Sequence, residues 1–148
     1  MKIRNYLNES PLVALNGVYE AVITDLNRQL RKEGVNLMQG LILTALLFED
    51  SETVTPSQLA EVFQTSRANV SHMVSHLEAN GWVKRAVNKE DARKFHLLLK
   101  PEGKKVALRL IKFYDSIQNK IEKQMGESRS RKLVDGLHEL KAIYKNRA

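Results

Sequence analysis

The chain has no cysteine, which excludes structural disulfides, thiolate nucleophiles, cysteine-based zinc sites and any switch driven by thiol oxidation. It also lacks a long apolar run. The longest, from Leu41 to Phe48, is interrupted by Thr44 and is far too short to cross a bilayer. The opening residues, Met1 to Glu9, carry no apolar core of the signal-peptide kind, so a cytoplasmic protein without a membrane partner is expected. Internal repeats, low-complexity tracts and linker-like stretches are missing too. So are the motifs of catalysis: there is no glycine-rich phosphate loop, nucleophile elbow or metalloprotease pattern. The four histidines, His72, His76, His96 and His138, are spread over three separate segments. No enzyme, metal or cofactor is expected from these residues.

What is present is an ordinary globular composition, 43% hydrophobic and 28% charged, in 148 residues, long enough to bury a core. The formal charge of +7 favours a polyanionic partner. Its location is more telling. Between Arg67 and Lys100 seven basic residues stand against three acidic ones, so more than half of the excess lies in under a quarter of the chain.

Helix signals recur. Ser10-Pro11 supplies an N-cap and a first-turn proline, and Leu12, Leu15, Tyr19, Val22, Leu26 and Leu30 follow in steps of three and four. This predicts a helix with one buried stripe, stopped near Gly34. Asn36 with Gln39 forms a capping box before a second helix, apolar nearly all round, that runs to about Phe48. Thr55-Pro56-Ser57-Gln58 opens a short third helix with Leu59, Ala60, Val62 and Phe63 as core. Ser66 caps a fourth, which Asn80-Gly81 ends. Trp82–Arg85 and Phe95–Leu99 read as two strands joined by a charged loop. Pro101 starts a long helix with Val106, Leu110, Phe113, Ile117, Ile121 and Met125 on one stripe, and Gly126 breaks it. A last helix carries Leu133, Leu137, Leu140 and Tyr144.

The fold class is therefore mainly α with a small β wing. Residues 35–100 form a winged helix-turn-helix lobe, an element that places a helix in the DNA major groove. Residues 1–34 and 101–148 supply helices with more apolar stripe than a small winged domain can cover. A second copy of the chain, making a homodimer, is the simplest partner.

On the helix from Ser66 to Asn80, Val70, Met73, Val74 and Leu77 face inward. The opposite face is centred on Ala68, His72, Ser75 and Ala79, with Asn69, Ser71 and His76 at its shoulders and Arg67 near its start. Ser and Asn can bond base edges, Ala can touch a thymine methyl, and Arg67 can reach phosphate or guanine. The loop that follows carries Lys89, Asp91, Arg93 and Lys94. An arginine at a hairpin tip suits a narrow minor groove, and Asp91 would orient it or a neighbouring base-contacting side chain. Phosphate contacts are expected from Arg67, Lys84, Arg85, Lys89 and Lys94 on double-stranded DNA, with affinity that falls steeply with salt. His72 and His76 stand at i and i+4 but lack a third ligand, so they read as surface or DNA-contacting residues. Two imidazoles on a reading face make pH-sensitive binding a further expectation.

The run Leu59-Ala-Glu, Ser66, Val70-Ser, Val74, Leu77-Glu, Gly81, Val83-Lys-Arg, Asp91-Ala-Arg, Leu97, Leu99, Gly103 resembles the MarR family of bacterial winged-helix regulators. Gly34-Val-Asn-Leu-Met-Gln39 also resembles that family's entry into its second helix, so the likeness covers nearly the whole chain. It implies a homodimeric transcriptional regulator, more often a repressor, on pseudo-palindromic promoter DNA. By this likeness Ser66, Asn69, Ser71, His72, Ser75 and His76 hold recognition-helix positions and Arg93 that of the wing-tip arginine. The resemblance also implies a small-molecule pocket for an aromatic effector, which Tyr19, Met38, Ile42, Arg109 and Phe113 would wall. Two departures stand out: His72 and His76 replace arginines common on the family's recognition helix, and Lys100 stands where Thr or Ser is usual. The rival reading is a winged-helix interaction module that binds a protein partner and has only non-specific DNA affinity.

Overall fold

The computed structural model describes residues 2–49, 54–87 and 95–145. The chain divides into two compact units, Met1–Leu110 and Ile111–Ala148. Its elements are α1 (Lys2–Glu9), α2 (Pro11–Lys32), α3 (Leu37–Phe48), α4 (Pro56–Val62), α5 (Arg67–Ala79), β1 (Val83–Val87), β2 (Phe95–Leu99), α6 (Pro101–Met125) and α7 (Glu127–Lys145).

The caps read from the sequence form these elements. The Asn36 side chain accepts from the Gln39 amide at 2.9 Å while Gln39 Oε1 accepts from the Asn36 amide at 2.8 Å, a reciprocal box that opens α3. Thr55 and Gln58 repeat it at α4, with bonds of 3.3 and 2.8 Å. Gly34 and Gly126 take φ of 74° and 84°, the left-handed conformation that ends α2 and α6 at low steric cost.

Every apolar side chain in the buried class, among the described residues, belongs to the first unit. Leu30 of α2, Ile42, Leu43 and Leu46 of α3, Val70, Val74 and Leu77 of α5, Leu97 of β2 and Leu110 of α6 form its centre. The hairpin is antiparallel, with Val83 opposite Leu99, Arg85 opposite Leu97 and Val87 opposite Phe95. It is tied down on its other side by Leu97, whose amide donates to the Val54 carbonyl at 2.8 Å.

Four expectations change. A helix, α1, precedes Ser10; Ile3, Tyr6 and Leu7 stand at helical spacing along it, and all three are exposed. The α2 stripe is only half covered: Leu26 and Leu30 are buried, but Leu12, Tyr19 and Val22 are 75%, 60% and 43% exposed. Periodicity identifies an apolar face, not what lies against it. Val62, expected in the core, is exposed at the end of α4. Trp82 precedes β1 rather than starting it, because its amide closes the α5 turn on the Leu77 carbonyl at 3.0 Å.

In the second unit Phe113 and Tyr114 pack with ring centroids 5.9 Å apart. The Tyr114 hydroxyl is buried and has no hydrogen-bond partner, and burial pushes its pKa up to about 12. The folded state thus keeps a proton that an unfolded tyrosine, with a pKa near 10, would release. The stability tied to that proton is intact below pH ~10 and is lost as pH rises to ~12. Tyr114→Phe is expected to flatten the fall in melting temperature over this window; an identical alkaline profile would show that the hydroxyl reaches solvent.

Candidate nucleic-acid interface

The turn between α4 and α5 passes through Gln64 at φ 52°, and the Thr65 amide returns to the Ala60 carbonyl at 2.9 Å. Ser66 then caps α5 by accepting from the Asn69 amide at 3.1 Å. The Asn69 amide nitrogen donates to Thr65 Oγ1 at 2.9 Å, which fixes the orientation of that side chain at the start of the helix. Two further contacts hold α5 against the connection into α3. Asn36 Nδ2 donates to Met73 Sδ at 3.4 Å, and His76 Nε2 lies 3.2 Å from the Gly34 carbonyl oxygen.

With Val70, Val74 and Leu77 buried, the outer face of α5 exposes Ser66, Arg67, Ala68, His72, Ser75, His76 and Ala79. Asn69 and Ser71 are half-buried at its edge, and Met73, expected inward, is half-buried as well. The strip is small and polar. The single acidic residue of the helix, Glu78, has its carboxylate engaged by Arg85 at 2.5 Å, so the face presents no uncompensated negative charge. A helix of this kind can lie close to a polyanion and still offer hydrogen bonds to base edges.

The basic residues expected at phosphates divide three ways. Arg67 and Lys84 are exposed and have no ion pair among the described residues. Arg85 is occupied: besides Glu78, its Nη2 donates to the Ser71 carbonyl at 3.2 Å and the Ser75 hydroxyl at 3.1 Å. Lys89, Asp91, Arg93 and Lys94 lie outside the described residues. The Glu78–Arg85 pairing was not anticipated from sequence. Strand alternation signalled it, since Val83, Arg85 and Val87 share one face of β1 and Lys84 takes the other.

The residues expected to wall a ligand pocket are placed as follows. Ile42 is fully buried in the core, Met38 is half-buried and Tyr19 is exposed. Arg109 bonds Glu33 Oε2 through Nε at 2.9 Å and Nη2 at 2.8 Å, and that hydrogen bond raises its pKa. Phe113 falls in the second unit. The first unit has an open cleft of about 400 Å³, and none of these residues lines it; its walls are Leu46, Leu47, Glu49, Leu99, Lys100, Pro101 and Lys104. No group of three or more His, Asp or Glu residues is placed to hold a metal ion among the described residues. No described helix is long and apolar enough to cross a membrane.

A capped short helix, a turn, an exposed polar helix and an antiparallel hairpin together define a winged helix-turn-helix. Residues 33–94 match the model of the MarR family. The chain is 30% identical over 77 residues to the transcriptional repressor MprA of Escherichia coli K12, covering 52% of this chain and 44% of that protein. The chain thus spans less than half the length of that curated relative. In fold it is similar to Staphylococcus aureus MepR in a complex with DNA, with TM-score 0.82 and 17% identity over 90% of this chain and 97% of that one. Streptococcus pneumoniae FabT, also in complex with DNA, gives TM-score 0.75 and 20% identity over 97% and 98% of the two chains.

Proposed function

We propose that the protein is a sequence-specific DNA-binding transcriptional regulator, acting as a repressor on pseudo-palindromic promoter DNA. The observation that carries this is the exposed face of α5, polar, finely surfaced and free of uncompensated acid, on a winged helix-turn-helix. The name of MprA and the DNA complexes of MepR and FabT support the same reading. A homodimer fits the exposed apolar residues: Leu12, Tyr19 and Val22 on α2, and Leu133, Val134 and Leu137 on α7, want a cover. Residues 1–34 and 101–148 are its dimerisation segments, and each reading helix would enter one of two major grooves about 34–36 Å apart. Release by a small aromatic effector belongs to the proposal through the family likeness. The buried Ile42 means that a ligand reaching it would have to repack α3.

The reading face is tested by comparing Asn69→Ala with Lys84→Ala on a selected duplex. Asn69→Ala should lower the ratio of specific to non-specific affinity about tenfold, the scale of one lost base contact. Lys84→Ala should weaken binding to all sequences alike and reduce the salt slope by about one per bound subunit. The opposite ranking would move the reading face away from α5.

A further inference from the structure

Arg85 lies in the most basic segment of the chain, yet its charge is paired within the protein rather than left free. It shares a face of β1 with the buried Val83, opposite the buried Leu97, and from there its guanidinium reaches across to α5. Nη1 pairs with Glu78 Oε2 at 2.5 Å, and the Arg85 amide donates to Glu78 Oε1 at 3.0 Å. The guanidinium carbon lies 5.3 Å from the centroid of the Phe95 ring. The Ser71 carbonyl, the Glu78 carboxylate and the Phe95 ring together hold the guanidinium in place, and Glu78 offsets the charge it would offer a phosphate.

The consequence falls on Ser75. Arginine has donors only, so at 3.1 Å from Nη2 the Ser75 hydroxyl oxygen must accept. The same oxygen lies 3.0 Å from the Ser71 carbonyl, which can only accept, so the hydroxyl proton is spent there. One lone pair remains, and Ser75 is exposed on the outer face of α5. In that state the hydroxyl can accept from a ligand but has nothing to donate.

Base edges in the major groove differ in this respect. Cytosine presents the N4 amine and adenine the N6 amine, whereas guanine offers acceptors and thymine an acceptor and a methyl. We propose that Arg85 is a positioning residue that fixes Ser75 as an acceptor-only reading group, and so selects cytosine or adenine over guanine or thymine at the base Ser75 faces. This rests on the DNA-reading function proposed above and assigns part of its specificity.

The test is parallel selection from a random duplex pool with the wild-type protein, Ser75→Ala, Arg85→Lys and Glu78→Gln, each checked for folding by its melting curve. The wild type should prefer A or C at one position of each half-site. Ser75→Ala should lose that preference about tenfold and keep the others. Arg85→Lys should lose the same preference, because a compact ammonium cannot span Glu78, Ser71 and Ser75 together. Its salt slope should match the wild type, since no phosphate contact is removed. If Arg85→Lys fails to fold, Glu78→Gln carries that arm: loosening the clamp should blunt the same position. Unchanged preferences in Ser75→Ala, or a loss in Arg85→Lys spread evenly over all sequences, would each overturn the assignment. Recovery of no symmetric site by the wild type would instead refute the DNA-reading function itself.

Discussion

Gly103→Ala is expected to destabilise the protein by about 3 kcal/mol or more, although alanine is the better helix former. Gly103 lies in the first turn of α6, where the chain of Trp82 crosses it. A Cβ there would stand 2.2 Å from the Trp82 carbonyl oxygen and 2.9 Å from both the Trp82 carbonyl carbon and Leu99 Cδ1. The Trp82 peptide has no room to retreat. Its amide closes α5 on the Leu77 carbonyl at 3.0 Å, and its carbonyl accepts the Lys100 amide at 2.8 Å. The helix-propensity gain of about 1 kcal/mol is outweighed by forcing backbone apart. For a chain of this size the loss should lower the melting temperature by roughly 10 °C. A change below about 2 °C would mean that the hairpin and α6 separate easily, and the rigid seating of the wing would have to be abandoned.

DNA affinity should fall by about 10³ to 10⁵ between 50 and 200 mM salt, the range for six to ten neutralised phosphates. The structure changes which cations count. With Arg85 committed to Glu78, the candidates in each subunit are Arg67, Lys84, Lys89 and Lys94. In the proposed homodimer the two subunits would then engage roughly eight phosphates, and the slope of log affinity against log salt should be about −7. Fluorescence anisotropy with a labelled operator across that salt range measures it directly. A slope shallower than about −3 would show that one subunit alone, or a small part of this set, touches the backbone.

Much of this fold was legible because its signals are local. The Asn36–Gln39 and Thr55–Gln58 boxes, the Ser66 cap and Gly34 each act within a few residues of themselves, and each element began or ended where its signal stood. Three of the four inward positions on α5 followed from helical period alone, with Val70, Val74 and Leu77 fully buried and Met73 half-buried. What failed was information carried across space. The exposed stretch of the α2 stripe, from Leu12 to Val22, is as apolar in sequence as the covered stretch at Leu26 and Leu30; only the arrangement of neighbours separates them. Arg85 was placed with the phosphate contacts because basic residues in a basic segment look alike by composition. Its partner Glu78 is seven residues away on a different element, and only the hairpin's alternation hinted that the two share a side. The wing-tip expectations for Lys89, Asp91, Arg93 and Lys94 still rest on the sequence pattern and the family likeness.

The most direct test is selection from a random duplex pool with the purified protein, at moderate salt and with excess competitor DNA. A two-fold symmetric site, its half-sites one helical turn apart, is the expected product and would supply the operator. Enrichment of no motif, with binding that vanishes as salt rises, would contradict the regulator and leave a winged helix whose specific partner is a protein.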